Sequence, residues 1–294
     1  MKQFYLLVLA VTGISISTLA CDICGFGVAN YNPFLFPHVS RSYLGVSYQR
    51  RIYHTYDEDG TFGKELYNTF LVTAQYGGTK KLQLVALVPY QMNQLHTAKE
   101  IKNVSGLGDV SLLANYSIWA KTMGVVRHTV MAGVGVKLPT GQYNAAMTSA
   151  LDDQNFQQGT GSVDYLLNGT YRIGYRKWIL STAASYKYNT TNKDDYRYGD
   201  VLMTGATLIY RKDLDGLSIA PYVQVINEHQ MQDADKHVLQ EHSGGQVLYT
   251  GGGVDMNTRK IAFGVNYQWA PSQNLAQGQV VVNPRFAAHI TFML

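Results

Sequence analysis

Eight histidines and two cysteines mark the places where this chain of 294 residues could do chemistry. Cys21-Asp-Ile-Cys24 is a CxxC. Two thiols so spaced suit a local disulfide in an exported chain. They would also make half of a zinc set that His38 could extend, since structural zinc takes four ligands. Lipidation of Cys21 is a third use, and it would remove one thiol from either arrangement. A redox enzyme is disfavoured, because no βαβ pattern surrounds the pair. The second concentration runs from Glu228 to His242, with His229, His237 and His242 among Asp233, Asp235 and Glu241. On a helical turn Asp233, His237 and Glu241 would share a face. Imidazole with carboxylate suits zinc, copper or nickel, whereas the plainer use is a solvated loop.

Enzymatic signatures are missing from the sequence: it has no nucleophile elbow, no HExxH and no phosphate-cradling loop. His289 could serve a barrel hydrolase only with a serine and a carboxylate beside it, and a packed, hydrogen-bonded histidine is the commoner case. The expectation is therefore a protein without catalysis or cofactor, with metal binding as the alternative.

The elements that must carry these residues follow from composition and period. Met1 to Ala20 has a basic start at Lys2, an apolar stretch from Phe4 to Val11 and small residues at its end, the form of a secretory signal. Beyond it no apolar run approaches the roughly 18 to 20 residues of a membrane helix. The 24 basic and 20 acidic residues are scattered with no basic block, so nothing marks a nucleic-acid partner. Glycine (28) and tyrosine (22) are abundant, a balance suited to strands and turns.

From Arg41 onward the period is two. Val110, Leu112, Ala114, Tyr116 and Ile118 alternate with Asp109, Ser111, Leu113, Asn115 and Ser117, and similar alternation runs through 128–138 and 163–173. A helix would scatter these sets around its circumference, whereas a strand puts each on one face. The rule predicts twelve strands near 41–55, 65–77, 81–92, 107–120, 127–139, 162–175, 178–190, 197–211, 217–229, 245–257, 260–270 and 285–294. Connections after even-numbered strands are short. After odd-numbered strands they are mostly long and polar, as in Asn93 to Gly106, Thr140 to Gly161, Gln230 to Gly244 and Pro271 to Pro284. Tyrosines and tryptophans gather near strand ends, among them Tyr76, Tyr90, Trp119, Trp178, Tyr188 and Trp269. Loop lengths that segregate by parity, with interfacial aromatics, predict an all-β transmembrane up-and-down antiparallel β-barrel with short periplasmic turns and long extracellular loops. The expected organisation is a signal peptide over 1–20, a periplasmic segment or partial plug over 21–40 and the barrel over 41–294.

Three motifs add a resemblance: Gly106-Leu-Gly-Asp109, Gly135-Val-Lys-Leu-Pro-Thr-Gly141 and Gly159-Thr-Gly-Ser-Val-Asp164, with weaker matches at Tyr198-Gly-Asp200 and Tyr249-Thr-Gly-Gly252. In this order the chain resembles the outer-membrane β-barrel transporter family labelled for the MetA-pathway of phenol degradation. The resemblance implies a Gram-negative outer-membrane location, lipid as the surrounding partner and a channel or transporter for small hydrophobic or aromatic molecules; a structural barrel without transport is the other alternative beside metal binding.

Charge then says which face is which. Asp109, Lys137, Asp164, Arg172 and Lys187 lie on the polar face of their strands, and a charge facing lipid costs on the order of 2 to 4 kcal/mol at mid-depth. That face must be the lumen. The charges either pair to fill the bore or form a constriction that selects permeants, and His289 joins them on the last strand.

Overall fold

The computed structural model describes residues 42–56, 62–79, 81–97, 100–144 and 156–294. Cys21, Cys24, His38 and the segments expected to be a signal peptide (1–20) and a periplasmic segment or partial plug (21–40) lie outside the described residues. Twelve antiparallel strands close into a barrel. They are β1 (Tyr43–Tyr56), β2 (Phe62–Tyr76), β3 (Leu82–His96), β4 in two parts (Ile101–Leu107 and Val110–Met123), β5 (Val126–Leu138) and β6 (Asp164–Tyr175). Then come β7 (Trp178–Tyr188), β8 (Val201–Tyr210), β9 (Leu217–Gln230), β10 (Gly245–Asn257), β11 (Ile261–Leu275) and β12 in two parts (Val280–Val282 and Arg285–Met293). Each strand pairs with the next, and β12 returns to β1 from Tyr43↔Met293 to Arg50↔Phe286.

The alternation separates lipid from lumen as the sequence requires. On β4, Leu112, Tyr116 and Ile118 are exposed on the outer wall while Ser111, Leu113, Asn115 and Ser117 are buried inside. A register shift between Ser117 and Trp119 breaks the parity, so Trp119 joins Ile118 on the outside. Such a bulge adds one residue to one strand and re-aims the side chains beyond it. Outer rings form two belts. Tyr76, Trp119, Tyr175 and Trp178 lie toward the short turns, and Tyr90, Tyr165, Tyr188, Tyr267 and Trp269 toward the loops, with Val72, Val134, Leu167, Leu208 and Val265 exposed between them.

Three sequence expectations are corrected. Asn93 to Gly106 is not an open loop: β3 and the first part of β4 run on as a hairpin from Tyr90↔Leu107 to His96↔Ile101. Its outward positions Gln94, Asn103 and Ser105 are polar because a membrane strand needs only about 9 to 11 residues and these stand above the lipid. Pro271 to Pro284 likewise shortens, since β11 continues to Leu275 and only a 3-10 turn, Ala276–Gly278, separates it from Val280–Val282. The segment expected to turn helically, with Asp233, His237 and Glu241 on one face, is a small hairpin instead, Ala234–Asp235 against Val238–Leu239. Lys236 and His237 take left-handed φ of 48° and 69° to make its turn, a two-residue reversal that a helix does not contain.

Candidate functional site in the bore

The three glycine motifs converge at the outer end of the bore. Asp109 occupies the break between the two parts of β4, Lys137 the end of β5 and Asp164 the start of β6. Lys137 Nζ lies 2.8 Å from Asp109 Oδ2 and 2.6 Å from Asp164 Oδ2, and the three side chains are at most 6% exposed. The lysine also donates to Thr160 Oγ1. Asp109 accepts the backbone N–H groups of Gly141 and Thr160, each at 2.9 Å, while Asp164 accepts from Ser162 Oγ at 2.9 Å and from the Thr190 N–H at 3.0 Å. Charge-assisted bonds of this kind are the strong ones. Here they tie the loop after β5 to the wall at both of its described ends. Gly141 and Gly159 pack backbone to backbone: a Cβ on Gly159 would stand 2.7 Å from the Gly141 carbonyl oxygen. Neighbouring Tyr143 carries a phenol that burial pushes above its ordinary value, against a hydrogen bond from Asn192 and with help from Asp194.

The clasp aims residues 156–158 into the lumen. Asn93 Nδ2 donates to the Phe156 carbonyl at 3.2 Å, and the Phe156 ring meets Tyr67 edge-on at 6.4 Å between centroids. Tyr67 in turn meets Tyr53 at 5.6 Å. These rings belong to a lumen-side cluster with Leu95, Met203, Ile226, Val247, Tyr249, Leu275, Val280 and Val282. Wall residues facing a wide water channel would be wet, yet Tyr53, Tyr67 and Tyr249 are each 2% exposed. Side chains therefore fill the outer half of the bore. Tyrosine and aliphatic groups form a contiguous part of that filling, beside buried polar groups such as Arg51, Glu65, Glu228 and Arg285.

Some of the polar groups threaded through the band pair with one another. Arg285 pairs with Glu228 at 2.8 Å, donates to Gln268 Oε1 and lies 3.6 Å above the Tyr249 ring. Tyr67 Oη and Thr55 Oγ1 donate to the two oxygens of Glu65 at 2.6 and 2.7 Å. None of Tyr53, Tyr67, Phe156, Tyr249, Glu228 or Arg285 stands out as a bore residue in the sequence. Parity offers the signal for the tyrosines, since Tyr53 is in phase with buried Arg51, and Tyr67 with Glu65.

The remaining inward candidates lie elsewhere. Lys187 is buried near the outer end of β7. Arg172 and His289 line a vestibule of ≈ 330 Å³ at the turn end of the bore. There His289 Nε2 stands 3.6 Å from Asp255 Oδ1. At the rim, the Ser218 hydroxyl and then Arg211 hold the Asp213 carboxyl below the ordinary aspartate value. The five charges thus divide into one outer cluster, one outer lysine and one inner arginine, not a ring at one depth.

The histidine-rich segment does not gather its ligands. His229 faces outward on β9, His237 and Glu241 are exposed at separate turns, and His242 is half-buried. Among the described residues no three His, Cys, Asp or Glu side chains are placed to hold a metal ion. Asp233 has a structural use instead, accepting from Tyr196 Oη and the Gly199 N–H. Asp200 of the Tyr198-Gly-Asp200 motif accepts from Tyr186 Oη at 2.6 Å, Arg197 at 2.8 Å and the Asn189 N–H at 2.9 Å. These bonds knit the outer loops together.

Known structures share this architecture. The chain is similar to the COG4313 outer membrane channel from Pseudomonas putida F1, with 15% identity, a TM-score of 0.69 and coverage of 90% of this chain and 98% of that one. It is also similar to the β domain of the Bordetella autotransporter BrkA, with 12% identity, a TM-score of 0.55 and coverage of 86% and 100%. No curated protein matches the chain. At these identities the likeness carries the fold, that of an outer-membrane barrel. Residues 56–282 match the family described as the MetA-pathway of phenol degradation, and the chain, a twelve-stranded outer-membrane β-barrel, belongs to that family.

Proposed function

We propose that the protein is a passive outer-membrane channel for small hydrophobic or aromatic molecules. The observation that supports this most is the tyrosine and aliphatic band across the outer half of the bore, into which the clasped loop sets Phe156. A water-filled porin lumen is polar. An apolar band excludes hydrated solutes, whereas a small apolar or aromatic molecule can replace the contacts that the side chains make with one another. The family label and the likeness to an outer-membrane channel agree with this use. Asp109, Lys137 and Asp164 then act by holding the loop, and Arg172, Lys187 and His289 border the path. Passage requires side-chain rearrangement and no chemical step.

The test is entry into vesicles whose outer leaflet is lipopolysaccharide, which slows the unaided diffusion of apolar solutes. Protein-bearing vesicles should admit a phenol severalfold faster than protein-free ones, with little gain for a pentose of similar size. Phe156→Ala should raise both rates and narrow the preference. Equal acceleration of phenol and sugar by the unaltered protein, or none for either, would overturn the reading.

A further inference from the structure

Between the outer band and the vestibule, three neutral polar side chains stand side by side on the lumen wall. Ser181 on β7 lies directly opposite Thr207 on β8, and Thr207 directly opposite Gln224 on β9. Their sequence neighbours Leu180, Leu208 and Val223 are exposed on the lipid side, so alternation turns the row inward. Ser181 and Thr207 are fully buried, and Gln224 is 2% exposed. Among the described residues, Ser181 Oγ, Thr207 Oγ1 and both Oε1 and Nε2 of Gln224 find no hydrogen-bond partner. Burying such groups unpaired is costly, and a wall that served only to pack would carry apolar side chains there. The row meets Arg172 on β6, opposite Ser181, and Gln268 on β11, beyond Gly251, and both of these have partners of their own. Apolar groups flank the row along the bore. Met203, Ile226 and Ala183 on its outer side belong to the tyrosine-rich cluster, and Ile179, Ile209 and Tyr222 on its inner side form a second one. Gly205 stands opposite Ala183, so the wall just outside the row carries little side-chain volume.

We infer that Ser181, Thr207 and Gln224 form a mid-bore binding site for small uncharged molecules that join an apolar body to one hydroxyl group, the hydroxyl on the row and the body against Ala183, Ile226 and Ile209. A hydroxyl both donates and accepts, and so do the serine and threonine hydroxyls and the glutamine amide. None of the three carries a charge to hold an ion. The inference rests on the channel reading and sharpens it: of the apolar molecules admitted by the outer band, those with a hydroxyl are held at mid-depth in preference to plain hydrocarbons, which would leave the row unpaired.

Binding and passage can be tested apart. Fluorine NMR on the full chain in detergent micelles, with protein-free micelles to correct for partition, would compare 4-fluorobenzyl alcohol with 4-fluorotoluene. The alcohol should bind about tenfold or more tightly, the worth of one or two hydrogen bonds. Thr207→Val with Gln224→Met keeps the shape and removes three of the four unpaired atoms. It should weaken the alcohol by about tenfold and leave 4-fluorotoluene bound as well or better. Its guanidinium unfolding midpoint should not fall, because unpaired buried polar groups replaced by apolar ones of the same shape cost the fold nothing. Ser181→Ala, a smaller change, should weaken the alcohol severalfold. Equal binding of the two probes, alcohol binding indifferent to both variants, or a lowered midpoint in the double variant, the mark of a row that bonds within the protein, would overturn the inference. Variant-sensitive alcohol binding without vesicle uptake would instead overturn the channel reading, and uptake of 4-fluorobenzyl alcohol with no preference set by the row would leave the channel standing and the mid-bore site refuted.

Discussion

Replacing Lys137 by methionine keeps most of its length and removes one charge from a cluster that water does not reach. Both carboxylates lie within 2.8 Å of the ammonium and are at most 6% exposed. Breaking a buried ion pair from one side costs about 3 to 5 kcal/mol, because the partner is left charged and uncompensated. Here two partners are stranded, which argues for the upper end. Each, however, keeps donors of its own: Asp109 the Gly141 and Thr160 N–H groups, Asp164 the Ser162 hydroxyl and the Thr190 N–H. Those bonds to the charged form bring the expected loss to about 3 kcal/mol, a factor of roughly 10² in the folding equilibrium. Reversible guanidinium unfolding in micelles would measure it. The decisive comparison adds Asp109→Asn and Asp164→Asn to the methionine, removing all three charges while keeping the shape. That triple variant should recover a large share of the loss, since the penalty belongs to the unpaired charges. A single variant within about 1 kcal/mol of the unaltered protein, or a triple variant no better than the single, would refute the reasoning.

Two further outcomes concern other parts of the barrel. Val223→Lys puts a charge on an outward position that is 60% exposed between the aromatic belts and should destabilise the micelle-folded barrel by about 2 to 4 kcal/mol, with Val223→Leu near neutral in the same guanidinium assay. Gly199→Ala brings a Cβ to 1.8 Å from the Met231 carbonyl oxygen. It should force the outer loops apart and speed tryptic cleavage at Lys193 and Arg197, while the unfolding midpoint of the barrel changes little.

Much of the barrel was legible because lipid on one side and a packed lumen on the other impose period two on the chain. Where the outer strand faces rise above the lipid that constraint ends, and Gln94, Asn103 and Ser105 carry a loop's composition on a strand's geometry. The inward phase of Asp109, Lys137 and Asp164 could be read from alternation. Their meeting could not: it depends on the stagger of β4 and β5 and on where Pro139 ends the latter, and neither leaves a mark within one segment. Tyrosine is ambiguous in a barrel for a related reason. Tyr90 and Tyr188 sit in the interfacial belt while Tyr53, Tyr67 and Tyr249 fill the bore, and only phase relative to a neighbouring charge separates the two uses. Phe156 lies in a stretch with no period at all. The Asp233–His237–Glu241 spacing was a true helical spacing in a segment that never forms a helix, because the left-handed residues at 236 and 237 reverse it first.

The pairing of β12 with β1 also dictates an order of assembly. Every other barrel seam joins strands that are neighbours in sequence and can zip up from a turn, but Tyr43↔Met293 unites the two ends of the described chain. Contacts of such long separation carry the largest loop-closure cost and form late. Until this seam closes, the sheet has two bare edges, each a template for pairing with another copy. Loss of Arg285–Met293 would thus remove more than one strand's worth of contacts: it would turn a surface without edges into an open sheet, and the expected product is aggregate, not a smaller barrel.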